Sequence, residues 1–430
     1  MFRFDHLTVP AIRTELPGPR AAELLARDTV HVSGSYTRVY PLVVEEGSGA
    51  VIVDVDGNRF LDFTAGIAVA NTGHCHPQVV AAIQDQAAKL IHMSGTDFYY
   101  RPQIELAERL SQLAPGPSAK KVFFCNSGAE AIEAALKLAR WHTERSRVIA
   151  FFGAFHGRTY GAMSLSGSKL THRRGFSPLV PDVHHVNFPK DEPGAAERLI
   201  RELEETVFHR TAPPEEVAAI FVEPIQGEGG YYALPEGCLE ALRELCDKYG
   251  IMLVLDEVQS GFGRTGKMFA VQHTEVEPDI VCMAKGIASG LPLGAIVAKA
   301  TVMDWPPGSH ASTFGGNPIA CRAALATLEL LEGGYIANAV VRGEQLRAGL
   351  RTLPELSNVR GKGLMVAADL PTPARKEAVI DACFRKGLLL LGCGESALRF
   401  CPPLCIGEGQ VEIALRVLGE VLKDSRSVVE

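Results

Sequence analysis

Residues 251–267, IMLVLDEVQSGFGRTGK, run an apolar stretch straight into two carboxylates, Asp256 and Glu257. The pattern returns in PDIVCMAKGIASGLPLG, where an apolar run ends in Lys285. A carboxylate at the tip of a buried strand is costly without a cationic partner. Lys285 could be that partner in a plain ion pair. A lysine buried at a strand tip also suits imine chemistry, because desolvation lowers its pKa and frees the amine as a nucleophile.

Other apolar runs end in chemistry too. KVFFC is followed by Asn126, Ser127, Gly128 and Ala129 at the start of a helical pattern. Free N–H groups, the helix dipole and a hydroxyl there make a phosphate site, although Ser127 alone is equally an ordinary N-cap. FFGAF leads into Phe155, His156, Gly157 and Arg158, an aromatic ring with a cation three residues on. IFVEP ends at Glu223, with Glu228 five residues later. A carboxylate for a ring nitrogen, an imine-forming lysine, a phosphate nest and an aromatic plate together describe a pyridoxal phosphate site.

The elements that position these groups read as alternating strands and helices. Residues 51–63 alternate about Asp56-Gly57, a hairpin with a tight turn. HPQVVAAIQDQAAKLIH and SGAEAIEAALKLARWHT carry helical spacing, the second opening on Ser127. KVFFC (121–125), RVIAFFGAF, VAAIFVEP (217–224) and IMLVLD read as buried strands, and CLEALRELCDKYG as a helix stopped by Gly250. The alternation predicts a parallel, doubly wound sheet, which places ligands beyond the carboxyl ends of its strands. Residues 190–216 read as a surface helix between turns. After GGNPIACRAALATLELLE the texture changes, and from about residue 355 a compact α+β module follows.

The 430 residues are enough for a large and a small domain, and 47% apolar content supports a sizeable core. The net charge of −7 argues against nucleic acid or an anionic membrane as partner. No apolar run suggests a membrane span, and the N-terminal stretch lacks the h-region of a signal peptide. The ten cysteines include no CxxC pair, so reduced thiols of a cytoplasmic protein are expected. His74 and His76 in GHCHP lack a third ligand at metal spacing, and read as a turn before a helix; no metal is expected.

The chain resembles the class III, ornithine/4-aminobutyrate type of aminotransferase, within the fold type I pyridoxal phosphate enzymes. The resemblance runs from VDGNRFLDFTAGIAVANTGHCHP through NSGAEA, AFHGRT, VEPIQGEGG, DEVQSGFGRTG, AKGIASGLPLGA and STFGGNP to VRGKGLM and LRFCPPL. It implies an α/β fold with a large, mostly parallel sheet domain (residues 71–330), an N-terminal segment (1–70) contributing to a small domain, and a C-terminal small α+β domain (331–430). It implies pyridoxal 5'-phosphate as cofactor, with Lys285 as imine lysine and proton carrier and Asp256 on the pyridine nitrogen. Gln259 would reach the ring hydroxyl, Val258 and Phe155 would pack on the two ring faces, and His156 would belong to the same site. Ser127, Gly128 and Ala129 would hold the phosphate. Thr313 would reach the phosphate of a neighbouring subunit, so a homodimer or dimer of dimers is expected.

Arg158 and Arg399 match the family's two carboxylate-binding arginines, and Glu228 the glutamate that covers Arg399 when an ω-amino donor is bound. AGIAVANTGH, QGEGG and GLLLLGCG look most like 4-aminobutyrate aminotransferases, in which Ile67 would narrow the substrate cleft. The expected reaction moves an amino group from 4-aminobutyrate or a similar ω-amino acid to 2-oxoglutarate. The N-terminal PGPRAAELLARD also resembles a related group with archaeal amino-acid racemases and ornithine-type aminotransferases; an ornithine/acetylornithine-type aminotransferase, an amino-acid racemase and an aminomutase of this fold stand as alternatives.

Overall fold

The computed structural model describes residues 2–4 and 8–424; residues 1, 5–7 and 425–430 of the terminal stretches lie outside the described residues. The strands are β1 Val44–Ser48, β2 Val51–Asp54, β3 Arg59–Asp62, β4 Lys120–Cys125, β5 Arg147–Phe151, β6 Val183–Val186, β7 Val217–Val222, β8 Met252–Asp256, β9 Ile280–Met283, β10 Gly294–Lys299, β11 Ser357–Lys362, β12 Met365–Asp369, β13 Leu388–Leu389, β14 Leu391–Cys393 and β15 Ala397–Phe400.

The central sheet has the order β4-β10-β9-β8-β7-β5-β6. Strands β6, β5, β7, β8 and β9 pair in parallel, while β10 runs antiparallel to both β9 and β4. β7 and β9 are buried along their whole length, as near-continuous apolar strands covered on both faces must be. Two expectations change here. The sheet is mixed, because LGAIVAK inserts as β10. KVFFC is an edge strand with Val122 and Phe123 only half-buried, because β10 is its one neighbour.

The helices follow their sequence signals. The helix Gly128–Thr143 starts at Ser127, whose Oγ accepts the Glu130 N–H at 3.2 Å. The helix Cys238–Tyr249 ends at Gly250 in the left-handed conformation, φ 64°, which glycine adopts without a Cβ clash. The helix Pro77–Lys89 is capped by His76, and His74 lies 2.7 Å from Asp62, so GHCHP is the expected turn before a helix. The helices of residues 190–216, Ala195–Arg201 and Glu202–Phe208, bury Leu199, Leu203 and Phe208, so this segment is an amphipathic surface element. The ten cysteines are all free thiols.

The helical run Pro318–Arg351 has the length and apolarity of a membrane span. Its first half packs on the helices Pro77–Lys89 and Arg101–Leu113 and buries Ala320, Cys321, Ala323 and Ala324, so its apolarity serves the core.

Two smaller four-stranded sheets complete the fold. β1, β2 and β3 form the antiparallel sheet whose hairpin turns at Asp56-Gly57, and β13 adds to β3 in parallel from the far end of the chain. β11, β12, β15 and β14 form an antiparallel sheet that carries Arg399 on β15.

Candidate active site

The carboxyl ends of the parallel strands converge on a cavity of about 450 Å³. Its lining includes Ser127, Phe155, Arg158, Glu223, Asp256 and Lys285, with Gly128, Ala129, His156, Val258 and Gln259 among the rest. A larger cleft of about 1080 Å³ lies behind Gln226 and Tyr231, and the lysine, the carboxylate at the β8 tip and the helix terminus are all absent from its walls.

Asp256 ends β8 and is 5% exposed. His156 Nδ1 donates to its Oδ2 at 2.7 Å, and the Val258 N–H donates to its Oδ1 at 2.9 Å. The cation beside Asp256 is therefore His156, and no ion pair joins Asp256 to Lys285 among the described residues. Burial opposes charge on His156, but the hydrogen bond to Asp256 and the charges of Asp256 and Glu223 outweigh it, and its pKa is raised. Its backbone N–H donates to Ser166 Oγ at 2.8 Å, while its Nε2 is buried without a partner among the described residues.

Lys285 follows β9, which pairs in parallel with β8. Its φ of 46° is in the left-handed region, a conformation that costs a non-glycine residue and recurs at functional sites. Burial lowers the amine's pKa. Asp256, Glu228 and Glu223 oppose that shift, and Arg399 reinforces it.

Ser127 caps, and Gly128 and Ala129 begin, a 16-residue helix whose N–H groups meet the cavity. A Cβ on Gly128 would stand 2.8 Å from Val258 Cγ1, and one on Gly157 2.7 Å from Ala129 Cβ, so both glycines permit close approach at the cavity wall. Gln259 Oε1 accepts from the Tyr231 hydroxyl at 2.8 Å. The Phe155 ring packs edge-on against His172 at 5.2 Å between centroids.

The two arginines are treated differently. Arg399 is 4% exposed and its Nη1 donates to Glu228 Oε1. Burial opposes its charge, but Glu228 holds its pKa above the usual arginine range. Arg158 is exposed at the cavity and forms no ion pair among the described residues; its guanidinium lies 5.8 Å from the centre of the Phe155 ring.

Four expected residues are absent from this lining: the paired Arg399 and Glu228, and also Thr313 and Ile67. Thr313 is exposed on a loop whose Ser312 Oγ accepts from Asn126 Nδ2 at 3.1 Å. Ile67 is 41% exposed on a turn, with φ 66°. Sequence reasoning gave no role to Glu223, which accepts the N–H groups of Phe155 at 3.2 Å and Gly227 at 3.0 Å. Burial raises its pKa to about 7, Asp256 adds to that, and His156 opposes it. Lys169, whose Nζ lies 3.4 Å from Glu228 Oε2, was also missed, because SGSKL carries no motif.

The site fits pyridoxal phosphate on its own geometry. It combines a carboxylate held by two N–H donors, a long helix terminus cleared of side-chain bulk by Gly128, and an amine whose charge is disfavoured by burial. The family model "Aminotransferase class-III" matches residues 32–422. The chain is 42% identical to an acetylornithine aminotransferase of Methanopyrus kandleri, over 94% of this chain and 99% of that protein. It is 38% identical to the 4-aminobutyrate aminotransferase of Escherichia coli, again over 94% and 99%. Among solved structures, an ornithine aminotransferase from Toxoplasma gondii with partial occupancy of pyridoxal phosphate in its active site superposes with a TM-score of 0.84 at 32% identity, covering 96% of this chain and 97% of that one. With the strand-tip lysine and carboxylate in place and the family match spanning nearly the whole chain, this protein belongs to the class III aminotransferases, pyridoxal phosphate-dependent enzymes of fold type I.

Proposed function

We propose that the enzyme moves the terminal amino group of an ω-amino acid, 4-aminobutyrate or a similar compound, to 2-oxoglutarate. The observation that carries this reading is the unequal state of the two arginines. With Arg399 covered by Glu228, the open cation at the cavity is Arg158, and such a site accepts a donor with one carboxylate at the far end from its amine. Breaking the Arg399–Glu228 pair uncovers a second guanidinium, which is what the second carboxylate of glutamate or 2-oxoglutarate requires.

Bound pyridoxal phosphate supplies an electron sink for the carbon that loses its proton. Asp256, oriented by His156, would hold a proton on the ring nitrogen. Lys285 Nζ takes the proton from the carbon bearing the donor's amine, as an amine made less basic by burial can. Ser127, Gly128 and Ala129 would hold the phosphate, Val258 and Phe155 would pack against the ring, and Gln259 would serve the ring hydroxyl. Ile67 borders the substrate entrance. Exposed Ile91, Phe98, Tyr99 and Phe314, with Thr313 beside the last, form an apolar surface that supports a homodimer in which Thr313 completes the partner's phosphate site.

Nα-acetylornithine also presents a terminal amine and one distal carboxylate. It is the second reading, favoured by the 42% identity to an acetylornithine aminotransferase against 38% to the 4-aminobutyrate enzyme. A donor panel with 2-oxoglutarate ranks the two. The test of the mechanism is Arg399→Ala, followed by single-turnover kinetics of each half-reaction. Losing a charge-assisted bidentate contact should weaken 2-oxoglutarate and glutamate by roughly 2–4 kcal/mol, with a much smaller effect on the ω-amino half-reaction. Equal losses in both halves would return Arg399 to a structural role. Sustained racemisation of an L-amino acid without any oxo-acid acceptor would overturn the transaminase reading of the site.

A further inference from the structure

Glu228 holds two cations at once. Oε1 takes Arg399 Nη1, and Oε2 lies 3.4 Å from Lys169 Nζ. Lys169 stands on the loop that follows the helix Tyr160–Leu165. That loop is pinned to the β5 tip. The Gly167 N–H donates to Ala154 O at 2.9 Å, the Gly153 N–H to Gly167 O at 3.1 Å, and the His156 N–H to Ser166 Oγ at 2.8 Å. Lys169 is therefore anchored to the same wall as Phe155 and Arg158, and reaches across to the glutamate that covers Arg399.

With Arg399 in place this contact adds little, because the Lys169 side chain is 44% exposed and such pairs are weak. The other state is different. Once Arg399 turns to an α-carboxylate, Glu228, only 17% exposed, loses its main partner in a cleft where an uncovered carboxylate is costly. We propose that Lys169 is a positioning residue for the second half-reaction: it holds Glu228 after Arg399 has moved to the α-carboxylate of glutamate or 2-oxoglutarate, and so eases the opening of the Arg399–Glu228 pair. This rests on the reading of Arg399 and Glu228 as a switch. The charged and titratable groups bearing on Glu228 are Arg399 from β15, Lys169 and His172 from the loop, and Lys285 from the β9 tip. Burial, aided by Arg158 and Lys169, lowers the pKa of His172 and favours its neutral form, so Lys169 is the loop's cation.

Single-turnover kinetics on holoenzyme carrying Lys169→Met test the idea. The apparent affinity for 2-oxoglutarate and glutamate should fall about three- to tenfold with kcat nearly kept, while the ω-amino half-reaction changes by less than about twofold. Lys169→Arg should restore the wild-type split. A pH profile adds a readout that a merely structural lysine would not move. Burial opposes charge on Glu228, but in the closed pair Arg399 holds its carboxyl below the usual range; once Arg399 has moved and Lys169 is absent, burial is left to raise it, so proton uptake by the open Glu228 favours the opening. The deficit in kcat/KM for 2-oxoglutarate should therefore shrink as the pH is lowered from about 8 to about 6. Equal losses in both halves, no loss in either, or a deficit independent of pH would overturn the proposal. Arg399→Ala, run in parallel, separates the two layers: if it too damages both halves equally, the switch itself has failed, whereas a selective Arg399→Ala with an unselective Lys169→Met removes only the role of Lys169.

Discussion

Glu223 shows how a single buried carboxylate can tie a site together and make it sensitive to pH. It directly follows β7, is 5% exposed, and accepts N–H groups from the segments that carry Arg158 and Glu228. Burial raises its pKa from 4.5 to about 7, with Asp256 adding to the shift and His156 opposing it. A folded-state pKa above the unfolded one means that the contribution to stability is fully present below pH 4.5 and is lost as the pH rises through about 7. Glu223→Gln removes the titration. Melting curves should show the variant gaining on the wild type between about pH 5 and pH 8, by at most roughly 3 kcal/mol at about 1.4 kcal/mol per pKa unit. Parallel curves across that range would mean that Glu223 is not held against ionisation. The same variant has one acceptor oxygen fewer for two N–H groups, so a pH-independent loss of about 1 kcal/mol should accompany the trend.

At the scale of elements, the site depends on where strands stop and a helix begins. Ser127 is extended, Gly128 opens the helix, and the Val258 side chain sits 2.8 Å from where a Cβ on Gly128 would be. Val258 is β-branched and has few rotamers in which to retreat. Gly128→Ala should therefore push Val258 into the space between the helix terminus and Asp256. Cofactor affinity should fall about tenfold or more, within the usual cost of overpacking, while the melting temperature of the cofactor-free protein changes little. Titration of the cofactor by its absorbance, beside a thermal melt, checks both halves of that statement. Unchanged affinity would show that Val258 relaxes away from the cavity.

At the scale of the molecule, Arg264 links parts of the chain far apart in sequence. It is completely buried, with Nη1 donating to the Leu364 and Pro402 carbonyls and Nη2 to Asn71 Oδ1 at 2.6 Å. Burial lowers its pKa, which Asp62 and other nearby groups only partly oppose. It thus joins the glycine-rich turn after β8 to the N-terminal loop and to the sheet that bears Arg399. Arg264→Met keeps much of the volume and strands those acceptors, so it should cost about 2–4 kcal/mol, read as a lower urea midpoint. An unchanged midpoint would mean that the guanidinium is dispensable to the assembly. We propose that residues 1–70 and 331–430 behave as one small unit around the large sheet, a reading supported by the parallel pairing of β13 with β3.

The strand tips were legible in the sequence because a buried parallel strand must be apolar, so a carboxylate or lysine that ends one stands out: Asp256 and Lys285 were found this way. The helix starting at Ser127, the Gly250 stop and the Asp56-Gly57 hairpin were legible because caps and turns are local chemistry. Other features depended on contacts that no local pattern encodes. The partner of Asp256 is His156, 100 residues earlier, and not the lysine on the adjacent strand. LGAIVAK became an antiparallel strand between β4 and β9 because two neighbours there offered it ladder hydrogen bonds on both sides. Glu228 meets Arg399 across 171 residues and Lys169 across 59, so which arginine is covered and which is open depended on the packing of separate elements. The residue types at strand ends and helix starts determined the chemistry available; long-range pairing, which sequence spacing does not constrain, decided the charge state and partners of each group.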